Sequence, residues 1–188
     1  MKTLILLFHP DFKNSTTNAA LAEAARSVPG VEVVDMQALY PEGRLDVFQD
    51  GAVEAERLLS AGRIVLQFPV QWYSTPPLLK AWADAVLTRM FYVSYDTEGQ
   101  RLEGTPIMVA ATAGNVPEAY SPTGQNLIPL PDLLNPLRAT AYRCRLPWAE
   151  PFLLYRAGKL SDTELADAAE RYAQRLRGWS TEADAIAA

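Results

Sequence analysis

The chain has 188 residues, 49% of them hydrophobic, and a formal charge of −5 from 17 Lys and Arg against 22 Asp and Glu. That length fits one domain around one core, and the acidic balance argues against a nucleic-acid partner, which needs a basic surface to neutralise phosphates. One cysteine, Cys144, and one histidine, His9, exclude an internal disulfide, a cysteine or multi-histidine metal cage, and any Ser-His-Asp triad not built on His9.

The opening KTLILLF (2–8) is an apolar run of the kind found in strands buried on both faces of a parallel sheet. It is too short for a signal peptide, and no stretch approaches the roughly 18 apolar residues of a membrane span, so a cytoplasmic protein is expected. STTNAALAEAARS (15–27) joins Ser, Thr and Asn start signals to alanine-rich helix formers and stops at Pro29 and Gly30. VEVVDM (31–36) reads as the second strand, followed by an irregular segment around 40–46. VFQDGAVEAERLLSAG (47–62) has the amphipathic spacing of a helix closed by Gly62.

RIVLQFP (63–69) is the third strand, and TPPLLKAWADAVLTRM (75–90) the helix after it, its prolines tolerated in a first turn whose amides lack intrahelical partners. PIMVAATAG (106–114) is a fourth strand running into a turn. PDLLNPLRATAYRCR (131–145) predicts a helix bent or delayed at Pro136, and LPWAEPFLLY (146–155) a weaker fifth strand. SDTELADAAERYAQRLRGW (161–179) predicts a terminal helix with Ser161 and Glu164 at capping-box spacing and Tyr172, Leu176 and Trp179 facing the core. Residues 1–180 then make the domain, and 181–188 a tail.

Five alternations of strand and helix imply an α/β fold, a doubly wound parallel sheet with right-handed crossovers. Ligands bind such sheets beyond the carboxyl ends of the strands, where strand order reverses. After strand one, HPDFKNSTTN (9–18) is rich in hydroxyls and amides and feeds a helix N-terminus. It reads either as a phosphate site or as simple capping by Ser15, Thr16 and Asn18. Neither GxGxxG nor GxxxxGK[ST] is present, so any phosphate would be held by hydroxyls and amides.

After strand three, Pro69, Pro76 and Pro77 stiffen a loop carrying Trp72 and Tyr73. The pair suits a wall for a planar ligand, or equally aromatics packed on the next helix. After strand four, TAGNVPEAYSPTGQN (112–126) offers Gly114 for close backbone approach, and Tyr120 further along. Three such loops at the ends of three strands favour a site. Cys144 is expected to be a buried hydrophobe, and Trp82 either core or interface.

Taken together, LLFHPDFKNSTTNAAL (6–21), FPVQWYSTPPLLKAWADAVL (68–87), ATAGNVPEAYSPTGQN (111–126) and PLRATAYRCRLPWAEPF (136–152) resemble the flavodoxin-like NAD(P)H:quinone oxidoreductase family. Within it, the chain is similar to the ancillary subunits of glutathione-regulated potassium-efflux antiporters. The resemblance spans about residues 3–176 and implies a five-stranded sheet of order 2-1-3-4-5 with helices on both faces. It implies a homodimer that binds FMN or FAD and passes a hydride from NADPH or NADH to a quinone or similar electrophile by a ping-pong route. FMN is preferred because the efflux-type relatives are short, like this chain.

Carried over residue by residue, His9, Ser15, Thr16 and Asn18 match the phosphate and ribityl side. Pro69, Val70, Gln71, Trp72 and Tyr73 match the wall beside the flavin ring, and Thr112, Ala113, Gly114 and Asn115 the second flavin loop. Tyr120 matches a tyrosine of the acceptor pocket. Asn126 stands where mammalian-type relatives carry a histidine that assists proton transfer, so that proton comes from Tyr120 or from solvent. The resemblance also allows a regulatory role bound to a membrane antiporter at the inner face of the membrane. A one-electron flavodoxin carrier is disfavoured, because such carriers are more acidic and lack the aromatic, proline-rich wall.

Overall fold

The computed structural model describes residues 2–186, with side-chain surroundings through Trp179. Five strands, β1 (Thr3–Leu7), β2 (Val31–Asp35), β3 (Arg63–Pro69), β4 (Ile107–Thr112) and β5 (Phe152–Leu154), pair in parallel in the order β2-β1-β3-β4-β5. This is the flavodoxin-like order that the resemblance implies. The helices are α1 (Thr17–Arg26), α2 (Met36–Leu39), α3 (Asp50–Leu59), α4 (Pro77–Thr88), α5 (Gln100–Leu102), α6 (Asn135–Arg143) and α7 (Asp162–Ile186).

Strand alternation divides the interior in two, one core on each side of the sheet. Leu4, Leu6, Ile64, Leu66, Ile107 and Val109 point to one face, where they pack with α3, α4 and α6. Ile5, Val65, Met108 and Ala110 point to the other, against Leu21 and Ala25 of α1 and Tyr172, Ala173, Leu176 and Trp179 of α7. The expected core face of the last helix is thus observed, and Trp82 is core, 3% exposed. Cys144 is buried too, and that burial pushes its thiol up to about 11.

Several elements depart from the sequence expectation, each for a local reason. β5 is cut to Phe152–Leu154 because Pro147 and Pro151 interrupt the run; upstream only Trp148 makes an isolated bridge, to Ile107. The helix expected over 131–145 starts as a 3₁₀ turn at Asp132–Leu134 and becomes α-helical only at Asn135. α2 was unforeseen: Asp35 ends β2 and caps it, its Oδ1 accepting the amides of Gln37 and Ala38 at 3.0 and 3.1 Å. Two π-helical turns, Arg89–Val93 and Tyr95–Gly99, extend α4. They close on Gly99, where a Cβ would sit 2.4 Å from the Met90 carbonyl oxygen, and on a bidentate Arg89–Glu98 pair. α7 runs to Ile186, into the stretch expected as a tail; residues 187 and 188 lie outside the described residues.

The capping box of α7 forms as its spacing predicts. The Ser161 amide and hydroxyl donate to Glu164 Oε2 at 2.8 and 3.0 Å, and the Glu164 amide donates back to Ser161 Oγ at 3.3 Å. Donation from the Ser161 amide, then from Arg156 and the Ser161 hydroxyl, holds the Glu164 carboxyl down at about 2, against an ordinary 4.5. A carboxylate depressed by folding contributes stability that is complete above its unfolded value and is lost as pH falls through the folded one. The melting-temperature gap between the native chain and Glu164→Gln should therefore be constant above about pH 4.5 and close as pH falls toward about 2. A gap independent of pH over that window would show that the carboxylate charge contributes nothing.

Candidate functional site

Strand order reverses between β1 and β3. The chain leaves β1 for α1 on one face and β3 for α4 on the other, which opens a crevice at the carboxyl edge of the sheet.

Its first wall is the loop before α1. Ser15 Oγ accepts the Asn18 amide at 3.2 Å, so Ser15 does cap the helix, whereas the Thr16 side chain makes no cap bond. Among the described residues the amides of Thr16, Thr17 and Ala19 have no acceptor. Three free donors at the positive end of a ten-residue helix suit a phosphate group. His9, just beyond the end of β1, is half-buried. Burial lowers its pKa despite the opposing charges of Asp11 and Asp35, and its Nδ1 accepts the Asp11 amide at 3.2 Å. The neutral ring therefore carries its proton on Nε2, as a donor.

Asn18 and Thr112 are brought together, but facing inward. Asn18, 2% exposed, donates from Nδ2 to Thr112 Oγ1 at 3.0 Å, tying the first loop to the end of β4. Beneath them Gln67 donates to the Asn18 carbonyl at 3.1 Å and accepts from the Tyr172 hydroxyl at 3.3 Å. This buried chain of amides and hydroxyls is fully partnered and stiffens the floor of the crevice.

The second wall is the turn after β3. Gln71 and Ser74 exchange both backbone hydrogen bonds at 3.0 Å, enclosing Trp72 at φ 45° and Tyr73 at φ 64°. A two-residue turn with positive φ at both central positions ordinarily takes Asn-Gly, so two aromatic residues there store backbone strain. The exchanged bonds, the flanking prolines and a 2.8 Å bond from the Val70 amide to the Thr112 carbonyl hold it in place. Trp72 is 92% exposed, which excludes its packing on α4, and the amides of Trp72 and Tyr73 are without acceptors among the described residues.

The third wall follows β4. A Cβ at Gly114 would meet open space, whereas one at Gly124 would lie 2.4 Å from the carbonyl oxygens of Ala119 and Glu118. Gly124 thus allows the loop to fold back on itself, and Gly114 leaves it open at the crevice. Asn115 donates to Gln125 Oε1 at 3.2 Å and accepts the Val116 amide at 2.9 Å. Tyr73 donates to Asn126 Oδ1 at 3.4 Å, linking the second wall to the third. Tyr120 is half-buried; burial and then the nearby Tyr73 raise its pKa, while the Asn115 amide acts the other way. It stays a protonated donor at neutral pH.

The sequence reading missed Gln67 and Tyr155. The Tyr155 ring lies 5.7 Å from that of Tyr120, and the residue directly follows β5. Extending the strand-end argument to the fifth strand would have found it.

The family model described as flavodoxin-like fold matches residues 1–176. The NAD(P)H oxidoreductase YdeQ of Bacillus subtilis, itself uncharacterised, is 37% identical over 94% of this chain and 86% of its own. The glutathione-regulated potassium-efflux system ancillary protein KefF of Klebsiella pneumoniae is 37% identical over 94% of this chain and 95% of its own. The crystal structure of general stress protein 14 from Treponema denticola, in complex with FMN, superposes with a TM-score of 0.79 at 31% identity, covering 95% and 97% of the two chains. Sheet order, a crevice at the strand reversal and relatives matched over almost the full length agree: the chain belongs to the flavodoxin-like family.

Proposed function

We propose that this chain binds FMN in the crevice and acts as an NAD(P)H oxidoreductase that reduces a quinone or similar small electrophile, donor and acceptor using one pocket in turn. The observation that carries the reading is the pairing, in one crevice, of unpartnered amides at the start of α1 with a strained, exposed aromatic turn after β3. The likeness to a protein solved with FMN and to one named an NAD(P)H oxidoreductase supports it.

Flavin, when bound, would supply the redox chemistry, hydride transfer from NADPH or NADH to the acceptor. The protein binds and orients. The free amides of Thr16, Thr17 and Ala19, with Ser15 and the Nε2 donor of His9, hold the phosphate. Pro69, Val70, Gln71, Trp72 and Tyr73 would form the wall for the ring, the unpaired amides of the turn offering it donors. Gly114 and Asn115 would close the other side, with the buried Thr112 and Ala113 holding that loop from behind. Tyr120 donates a hydrogen bond to the acceptor oxygen; Asn126, occupied by Tyr73, has no titrating group and positions without exchanging a proton.

The same reading includes a homodimer. Trp72, Leu127 and Ile128 are exposed, and a largely apolar groove of about 550 Å³ runs between α4 and α6; both are apolar surface that a second copy would cover. FMN is preferred to FAD because the Treponema denticola neighbour was solved with FMN.

An absorbance spectrum of the purified protein tests the proposal, followed by release and identification of the chromophore and anaerobic addition of NADPH and of NADH. Flavin bands that bleach with a nicotinamide and recover with a quinone are the expected result. A colourless protein that takes up neither FMN nor FAD would overturn it.

The likeness to KefF favours a second reading, an ancillary subunit of a membrane potassium-efflux antiporter. No helix among the described residues is long and apolar enough to cross a membrane, so attachment at the inner face would run through the partner. Co-purification with an antiporter encoded nearby supports this role; a chain that purifies alone under the same conditions counts against it.

A further inference from the structure

Building on the flavin reading, we propose that Tyr155 and the turn it opens, residues 155–159, are the positioning element of the acceptor side, fixing Tyr120 and the loop after β4. Four consecutive residues make the contacts. The Tyr155 ring packs on the Tyr120 ring at 5.7 Å and 59°. The Arg156 amide donates to the Asn115 carbonyl at 3.0 Å, the Ala157 amide to the Ala113 carbonyl at 2.9 Å, and the Gly158 amide to Thr17 Oγ1 at 3.0 Å. One turn thereby grips the third wall of the crevice three times and the start of α1 once.

The turn is itself held in an uncommon shape. Arg156 is a non-glycine residue at φ 59°, and Gly158 follows at φ 76°. Strain of this kind persists only where the surroundings over-determine it. Here Arg156 Nη1 donates to Glu164 Oε1 at 2.7 Å, the Lys159 amide donates to the Arg156 carbonyl at 2.8 Å, and the Glu164 carboxylate is anchored in the capping box of α7. Rigidity passes from the last helix, through Arg156, to Asn115. The loop is held on both sides of Gly114, at the Ala113 and Asn115 carbonyls, and the Tyr155 ring packs on the Tyr120 ring that the same loop carries. The fixed loop and the ring packing together set where the Tyr120 hydroxyl points. Tyr155 does this work through ring packing, without reaching the reacting atoms.

The consequence is a separation of effects. Phosphate binding relies on α1 and ring binding mainly on the turn after β3, while Tyr155 touches Tyr120, so loosening residue 155 should disturb flavin binding and reduction by NAD(P)H far less than it slows reoxidation by the quinone. In the flavin-loaded protein, stopped-flow rates for the two half-reactions are expected to match the native ones in Tyr155→Phe. In Tyr155→Leu, reoxidation should fall about 10- to 100-fold, the cost of misplacing a catalytic contact, with flavin affinity and the reductive rate nearly unchanged. Arg156→Gly accepts the left-handed backbone without strain but loses Glu164, and should give the same split to a smaller degree, which covers the case of a poorly folded Tyr155→Leu.

Hydrogen exchange at the Arg156 and Ala157 amides, which donate to the Asn115 and Ala113 carbonyls, measured in the flavin-free chain, is an independent reading. It should rise about tenfold or more in Tyr155→Leu and not in Tyr155→Phe. Unchanged exchange and reoxidation in Tyr155→Leu, an equal loss in both half-reactions, or a Tyr155→Phe as damaged as Tyr155→Leu would each overturn the inference. A native chain that takes up no flavin overturns the functional reading instead, while the exchange measurement still decides whether Tyr155 fixes the loop.

Discussion

Trp72→Asn combined with Tyr73→Gly is expected to make the protein more stable and worse at its task. Each aromatic residue sits in the left-handed region, at φ 45° and 64°, at a cost of about 1–2 kcal/mol per residue. Asn and Gly adopt that turn readily. Little packing opposes the gain, since Trp72 is 92% exposed and Tyr73 loses only a long, 3.4 Å hydrogen bond to Asn126. Relief of strain should win, raising the melting temperature by roughly 4–16 °C for a chain of this size. The backbone amides remain, so a fall in FMN affinity reports the aromatic faces alone. A loss of about 1–3 kcal/mol is expected, the scale of an aromatic anchor at an interface, or about 5- to 150-fold in Kd. Calorimetry and a flavin titration on the same sample separate the two claims. Lower stability would show that the turn is not strained, and unchanged affinity would remove the rings from the flavin wall.

Glu54→Ala should produce the largest loss of stability. Glu54 is fully buried on α3, where its Oε1 accepts from the Tyr40 hydroxyl at 2.9 Å and Arg57 Nε at 3.2 Å, and its Oε2 from Trp82 Nε1 at 3.3 Å. Burial, reinforced by this carboxylate, holds the Tyr40 phenol protonated far above its ordinary range. Two effects compete when the side chain is cut back. Removing a buried charge relieves its desolvation, which favours the variant. Against this, one phenol, one indole and one largely buried guanidinium lose their acceptor together. Orphaning the partners of a buried charge costs about 3–5 kcal/mol, which outweighs the relief because the indole stays buried and the phenol and guanidinium are only partly open to water. A fall of about 6–20 °C in melting temperature follows. Glu54→Gln keeps a carbonyl acceptor and should lose clearly less. If Ala and Gln cost the same, the hydrogen bonds are not what matters at this position.

The central strands were legible because strands buried on both faces leave an unambiguous mark: LILL, IVLQF and IMVAA are runs that no amphipathic helix produces, while the strand order came from the resemblance. The loops were legible for a different reason, since a doubly wound sheet restricts where ligands sit, so only the ends of a few strands had to be read. What escaped was decided by long-range partners. Glu54 looks like any helix carboxylate until Tyr40 and Trp82 are seen around it, 14 and 28 residues away. The π-helical turns depend on Arg89 finding Glu98 and on the tight approach at Gly99, neither of which has a periodic signature. Asn18 shows the limit within the site itself: its type and place suggested a ligand contact, and its side-chain amide is turned inward to Thr112.

The turn after β5 holds its neighbours mainly by main-chain amides grasping main-chain carbonyls, those of Ala113 and Asn115. Every residue type except proline offers the same amide, and every residue offers the same carbonyl. The lip of the crevice can therefore be repopulated with new side chains, and with them a new choice of acceptor, while its outline stays fixed. Adaptation to another electron acceptor would be a matter of ordinary point substitutions at 114–116, and proline at 156–158 would be the change the site could not absorb.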